Sequence, residues 1–405
     1  MRIMIVTDQY PPMVGGVPNV TFGLATSFVK RGHQVWVIAP SYGARTIRRS
    51  ENGVAVSRFS SFEWPTYKDL RIPFLPFASI RQLIKQSKPD IVHVHSPIVL
   101  GNIGRMLAAN LRKPVVATNH YVPSNMLSRE VLADPIFGKP LSDITYSYLV
   151  QFYNRCEYVT SPTRTALNLL LEHGLRAPSG VISNGIDLSN YAPGPPEPEV
   201  LRRLGLPEDR PVILHINRLS PEKRIDVLLD AVAKMKTPAH VALASTGPAE
   251  AELRAQVERL QIADRVTFLG FVRDADLIPL RRSARLFVIP SEADLQSMAL
   301  MEAMACGLPV LAADSYALPE LVHHEQNGFL FQPGASDELA QRMDQVLTDE
   351  AMHARMGAES LKIIAEHDYV KVLEQWEVLY HRLIAEFKDT HSHRSRQRLH
   401  TSTRL

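Results

Sequence analysis

Short apolar runs rich in β-branched residues recur along this chain, and each is followed by a longer segment whose apolar residues fall at helical spacing. That alternation admits few folds: parallel strands joined by crossover helices, with ligands received outside the carboxyl ends of the strands. Ile3–Thr7, Gln34–Ala39, Ile91–His95, Val115–Asn119, Tyr158–Ser161 and Gly180–Ser183 read as strands of one sheet. Pro211–Ile216, His240–Ser245, Val266–Leu269, Leu286–Ile289, Pro309–Ala312 and Gly328–Phe331 repeat the pattern as a second series. Pro193, Pro195, Pro196 and Pro198, within residues 191–199, mark the best linker between them. Domains tend to divide beyond about 250–300 residues, and this chain has 405. It is expected to form two doubly wound, Rossmann-like α/β domains facing across a cleft, residues 1–187 and 188–370. Residues 352–388 are helical in period, with Trp376, Leu379, Tyr380, Leu383 and Ile384 on one apolar face; the part from 371 to 388 is expected to cross back to the first domain. Residues 389–405 turn polar and basic, lose periodicity and read as a disordered tail, whose histidines reflect composition rather than a metal site.

Several classes of protein are excluded. With 45% hydrophobic and 21% charged residues the chain is too apolar to stay unfolded. Cys156 and Cys306 lie far apart in apolar or small-residue segments, which removes a disulfide framework or a cysteine-ligated zinc as the organising principle. No stretch approaches the roughly 20 apolar residues that span a bilayer. The start, Met1–Thr7, reads as a strand rather than a signal peptide, so the expected location is the cytoplasm.

The formal net charge of +3 conceals two opposite halves. Residues 1–187 hold 20 Lys and Arg against 11 Asp and Glu, whereas residues 188–388 hold 21 against 30. Two solvated surfaces would account for this, and so would a first half that faces an anionic partner. A phospholipid leaflet attracts such a surface by about 1 kcal/mol per well-placed cation. Nucleic acid is disfavoured, because the cations are scattered without a helix-turn-helix, RNP or zinc-finger frame.

Candidate chemistry sits where strands end. Strand one ends at Asp8, and Gly15 and Gly16 follow in a turn opening a helix near Pro18, where backbone N–H groups can approach a ligand. The dinucleotide spacing G-x-G-x-x-G is absent, and a lone Gly-Gly is more often an ordinary turn. Arg218 and Lys223 leave the carboxyl edge of the second sheet, and two cations there suit a diphosphate. Lys223 at a helix start opposes the macrodipole, which favours a functional reading. Asp294 lies in a loop and Glu302 eight residues on, inside a helix of small and apolar residues where an unpaired carboxylate is costly. Something polar must meet Glu302, either a ligand or an internal partner such as a buried Arg. His120 follows the fourth strand, a place where a lone histidine is more often structural.

The stretch Asp294 to Glu302, followed by Ala303 through Val310, resembles the acidic-x7-acidic signature of retaining GT4-type glycosyltransferases with the two-domain GT-B fold. The likeness extends through the Gly15-Gly16 turn, Asp90–His95, Ser183–Asp187, Asn217–Lys223, Gly270–Val272 and Asn327–Leu330, and so covers nearly the whole ordered chain. It implies a nucleotide sugar as co-substrate and no cofactor. It implies that Glu302 accepts hydrogen bonds from ribose hydroxyls and that Arg218 and Lys223 neutralise the diphosphate. Backbone N–H groups near Ser297, Met298 and Ala299 would hold the distal phosphate and sugar, Asp294 would bind sugar hydroxyls, and Phe271 and Val272 would pass the base. Gly15 and Gly16 complete the implied donor contacts. His120 would meet the donor sugar across the cleft, and Asn119-His120 with Pro123 and Asn125 resembles the branch that glycosylates diacylglycerol-type lipids, with Asn119 and Asn125 on the acceptor side. Asp294 stands where relatives more often carry Glu, and being one methylene shorter it sets its carboxylate deeper or draws the loop inward. Leu295, Gln296 and Ser297 also depart from the common Gly-Phe-Gly that follows the first acid, which bears on the phosphate contacts near Gln296.

The implied reaction retains configuration on one face of the sugar, with the departing phosphate oxygen taking the acceptor proton. Catalysis then falls to positioning and to fixed cations and dipoles, without a metal, and domain closure would exclude water. His120, Arg218, Lys223 and Asp294 form the expected catalytic group, and Glu302→Ala or Lys223→Ala is expected to abolish transfer with the fold intact. Residues 59–77 mix aromatics and cations in a poorly periodic segment suited to a bilayer interface, or else to a loop folded on the core. A membrane lipid acceptor, met at the inner face of the cell membrane with UDP-glucose as first-choice donor, is the leading expectation. A soluble acceptor, or a nucleotide-sugar-binding protein without activity, is the alternative.

Overall fold

The computed structural model describes residues 1–402 except 44, 65–66, 128–130 and 133; side chains at 64, 67–70, 124–125 and 391–402 are also outside the description. The chain divides into two compact units. Met1–Tyr121, Pro140–Ile182 and Val372–Leu405 form the first, and Val122–Lys139 with Ser183–Lys371 form the second.

The first unit contains β1 (Arg2–Val6), β2 (Gln34–Pro40), β3 (Ile47–Glu51), β4 (Val54–Phe59), β5 (Ser61–Trp64), β6 (Tyr67–Pro73), β7 (Ile91–Val94), β8 (Val115–Thr118), β9 (Tyr158–Ser161) and β10 (Ser179–Val181). Eight of these form one sheet in the order β10-β9-β8-β7-β1-β2-β4-β3, while β5 and β6 pair apart as an antiparallel hairpin. Within the large sheet only β3 runs antiparallel to its neighbour. Ile3, Met4, Ile5 and Val6 are all fully buried, because crossover helices cover both faces of the central strand and leave no polar side for an alternating pattern.

The second unit is a six-stranded parallel sheet of β11 (Val212–Ile216), β12 (His240–Ala244), β13 (Val266–Gly270), β14 (Leu286–Ile289), β15 (Val310–Ala313) and β16 (Gly328–Phe331). Its order, β13-β12-β11-β14-β15-β16, reverses direction between β11 and β14. That is the doubly wound arrangement, and the reversal opens a crevice at the carboxyl ends of those two strands. The approach of β15 to β16 demands glycine: a Cβ on Gly328 would stand 1.6 Å from the carbonyl oxygen of Val310. Asn327 accepts from the His323 N–H at 2.8 Å and donates to the Leu321 carbonyl at 3.0 Å, so this Asn-Gly pair builds the turn into β16.

Three features differ from expectation. Strands β3 and β4 and the hairpin were not anticipated; residues 59–77, expected to be irregular, include the hairpin. The Pro-rich stretch is not the point of division: the units part after Ile182, and the linker packs within the second unit, where the Arg282 Nε donates to the Ala192 carbonyl at 2.9 Å. The final helix spans Tyr369–Ser402, so the chain is helical past Lys388 where disorder was expected to begin. From Val372 this helix belongs to the first unit, with Tyr380 fully buried against Phe28. No described helix is long and apolar enough to cross a membrane.

Candidate active site

In the second unit, Asn217 and Arg218 leave the end of β11 and enter a single 3-10 turn, Pro221–Lys223, before the helix Ile225–Lys234. Residues 290–297 leave the end of neighbouring β14 and enter the helix Met298–Ala305. The two loops are joined. The Glu292 N–H donates to the Glu222 carbonyl at 3.1 Å, and Arg224 pairs with Glu292 and Asp226. Lys223 Nζ lies 3.0 Å from Oδ1 and 3.1 Å from Oδ2 of Asp294, with about seven-eighths of both side chains covered. A cation and a carboxylate thus meet at the topological switch point, the place where an open α/β sheet receives its ligand. Arg218, in the same loop after β11, is half-buried, its backbone N–H donating to Asn217 Oδ1 at 3.0 Å.

Ser297 caps the helix Met298–Ala305 by accepting from the Leu300 N–H at 3.3 Å, and among the described residues no side chain accepts from the N–H groups of Met298 and Ala299 in the first turn. Gln296 Oε1 accepts from the Asn184 N–H at 2.7 Å, and its Nε2 donates to Ser183 Oγ at 3.0 Å. Ser183 in turn bonds His367 Nδ1 at 2.8 Å. The unusual Gln296 therefore anchors the loop to residues 183–184 instead of offering its amide outward.

Glu302 has an internal partner. Arg281, 1% exposed, donates to Glu302 Oε2 and to the Leu277 carbonyl at 3.1 Å, and its guanidinium lies 5.5 Å from the centre of the Tyr191 ring. Burial pushes the Glu302 carboxyl above its ordinary range while Arg281 opposes the rise. Of the pair expected to pass the base, Phe271 is 71% exposed, and the Val272 side chain packs into the core of the unit.

In the first unit Asp8 is fully buried and accepts from Ser96 Oγ at 2.5 Å and from the N–H groups of Leu100 and Gly101 at 2.7 and 3.2 Å. It ties the end of β1 to the start of the helix Val99–Asn110, and a Cβ on Gly101 would stand 1.6 Å from the Ser96 carbonyl oxygen. The Gly15-Gly16 helix begins at Gly16 rather than near Pro18, and a Cβ on Gly16 would meet nothing within 4 Å. Packing inside the protein therefore does not require glycine at 16.

His120 follows β8 and is 8% exposed. Its ring lies edge to edge with that of His95, centroids 5.3 Å apart and planes at 14°, and its Nε2 is 3.0 Å from His95 Nδ1. Burial pulls its pKa down to about 4, so the imidazole is neutral at physiological pH. His93 lies against the other side of His95, with centroids 3.9 Å apart, and bonds Tyr380 Oη at 2.6 Å and Thr118 Oγ1 at 2.7 Å. Asn119 is fully buried; its Oδ1 accepts from the Tyr121 N–H and the Tyr153 hydroxyl, both at 3.0 Å. These bonds fix the chain just past the end of β8, so Asn119 acts on the residues that follow the strand from within the core. The Asn125 side chain lies outside the described residues.

Sequence reasoning did not single out Arg281, Tyr191 or His367, and it named Ser183 and the pair His93–His95 only within segments of likeness, without a role. The pair carries a readable signal, since residues two apart on a strand share a face.

Residues 14–190 match the family profile described as Glycosyltransferase Family 4, and residues 197–362 that of Glycosyl transferases group 1. The chain belongs to the GT4-type glycosyltransferases and has the GT-B fold. This glycosyltransferase is 26% identical over 392 residues to the alpha-monoglucosyldiacylglycerol synthase of Streptococcus pneumoniae, an alignment covering 93% of this chain and 85% of that enzyme. It is 26% identical over 400 residues to N-acetyl-alpha-D-glucosaminyl L-malate synthase of Bacillus anthracis, covering 96% and 99%. Among solved structures, the Anabaena HepE protein in complex with UDP matches with a TM-score of 0.76 at 25% identity, over 94% of this chain and 99% of that one.

Proposed function

We propose that this glycosyltransferase transfers a hexose from a nucleotide sugar, UDP-glucose first, to a hydroxyl of a membrane lipid such as diacylglycerol, retaining the anomeric configuration and using no metal. The observation that carries the donor half is the Lys223–Asp294 pair at the switch point of the second sheet. An ammonium has three donors, so Lys223 can keep Asp294 and still give an N–H to a phosphate oxygen, with Arg218 adding charge. The open first turn at Met298 and Ala299 suits a phosphate, and Asp294 suits the hexose hydroxyls. Glu302, with Arg281 behind it, suits the ribose. His120 contacts the hexose, and Gly16 admits close approach. As the acceptor oxygen bonds to the anomeric carbon, the bond from that carbon to the diphosphate breaks and the departing phosphate oxygen takes the acceptor proton. The products are the glycoside and a nucleoside diphosphate.

The UDP complex of the Anabaena protein supports the choice of base, and the likeness to the Streptococcus pneumoniae synthase supports a lipid acceptor. Exposed Phe74, Leu75 and Phe77 lead into the helix Phe77–Ser87, whose Arg81 and Lys85 are exposed, with exposed Lys88 next in line. That combination suits the anionic inner face of a cell membrane. A second reading, transfer to a small soluble acid, draws on the Bacillus anthracis relative of equal identity. The deciding experiment incubates the protein with radiolabelled UDP-glucose, UDP-galactose or GDP-mannose and anionic liposomes containing diacylglycerol, with malate in a parallel arm. Label in the organic phase supports the lipid acceptor; label only in a soluble product overturns it.

A further inference from the structure

One ring in the first unit has no task in the scheme above. His95 sits between His93 and His120, 1% exposed. Its Nδ1 faces His120 Nε2 at 3.0 Å, a distance at which one proton is shared between two ring nitrogens. Its Nε2 is buried and has no hydrogen-bond partner among the described residues.

These facts restrict the tautomers. If His120 donated from Nε2, His95 would carry its own proton on Nε2, a buried N–H with nothing to accept it. If His95 donates from Nδ1, the atom left unpartnered is only a lone pair. Buried N–H groups without acceptors are the rarer case, so the second arrangement is favoured. The neighbouring ring is braced in the same way: both nitrogens of His93 are engaged, by Tyr380 and by Thr118, and Trp376 lies over it with centroids 4.6 Å apart. His95 is therefore held in the stack and presents Nδ1 in a fixed direction.

We infer that His95 is a positioning residue for His120: by donating from Nδ1 it holds the His120 proton on Nδ1, so that any contact His120 makes through Nδ1 is a donated hydrogen bond, suited to a sugar oxygen. The inference rests on the proposed placement of His120 at the donor hexose, and its test separates the two. Full-length protein labelled with 15N in histidine reports each ring's tautomer through long-range proton–nitrogen correlations, with His120→Asn assigning the His120 signals. Wild type shows the proton on Nδ1 of His120. His95→Phe keeps a ring beside His93 but removes the donor, so nothing fixes the His120 tautomer and the Nε2–H form becomes populated beside the Nδ1–H form, while transfer falls by at least about tenfold. His95→Asn, whose amide nitrogen stands near the position of Nδ1, keeps the Nδ1 tautomer and restores transfer. A wild-type proton on Nε2, or a tautomer indifferent to His95→Phe, overturns the inference. A shifted tautomer with unchanged transfer overturns the positioning role; if His120→Asn is also fully active, the placement of His120 at the donor falls with it.

Discussion

Lys223 and Asp294 are 71 residues apart in sequence and share two contacts, 3.0 and 3.1 Å, across the carboxyl ends of β11 and β14. The pair joins the cation proposed to neutralise the diphosphate to the carboxylate proposed to bind the sugar. Lys223→Ala therefore removes a donor from the leaving group and strands a carboxylate that is 12% exposed. Transfer is expected to fall by about 10²–10³-fold. The stability cost is about 1–3 kcal/mol, between the limits for exposed and buried pairs. Lys223→Ala with Asp294→Ala recovers stability in a urea titration and leaves turnover lost. Recovery of turnover in the double variant would reduce the pair to a structural bridge.

Glu302 answers to Arg281, and this changes the outcome anticipated from sequence for Glu302→Ala. The substitution leaves a guanidinium 1% exposed with its carboxylate gone, at a cost of about 3–5 kcal/mol, so the fold is weakened along with activity. Arg281→Met with Glu302→Leu is expected to restore the unfolding midpoint by replacing the pair with apolar volume, while UDP affinity remains lost. Wild-type UDP affinity in that double variant would remove Glu302 from the donor site.

The strand series was legible because strands buried on both faces are written as continuous apolar runs, as in Ile3–Val6 and Val115–Ala117. Strand β3 was not, because Ile47–Glu51 is a polar edge strand with an exposed face throughout most of its length. Strand β4 hid behind buried Ser57 and Arg58, the latter neutralised by Glu51 at 2.9–3.0 Å. The need of Glu302 for a partner could be read from its apolar helix, but the choice of Arg281 depends on how two helices pack. The bond between His95 and His120 likewise depends on β7 lying beside β8, which only the sheet order supplies.

The His120 pKa of about 4 sets a pH window for stability. Unfolded, the ring titrates near 6.5, so between these values the unfolded chain binds more protons and stability falls as pH drops from 6.5 toward 4. His120→Asn removes that contribution, and urea midpoints measured stepwise across the window are expected to vary less steeply with pH than in wild type. Burial also lowers His93 and His95, so part of the slope persists. Identical slopes in the two proteins would mean that His120 is not held neutral by the fold.

The helix Phe77–Ser87 buries Ile80, Leu83 and Ile84 and exposes Arg81 and Lys85, so its charged face can be altered without disturbing its packing. Replacing Arg81, Lys85 and Lys88 by Glu changes the local charge by six units of sign-reversed attraction to an anionic leaflet, roughly 1 kcal/mol for each cation lost at the surface. Cosedimentation with phosphatidylglycerol vesicles is expected to weaken at low salt and to converge with wild type near 1 M, where the screening length is about 3 Å. Phe74→Ser with Leu75→Ser acts differently: it removes apolar contacts that salt does not screen, so its loss of binding persists at high ionic strength. Binding that neither set of changes reduces would place the membrane contact on another surface.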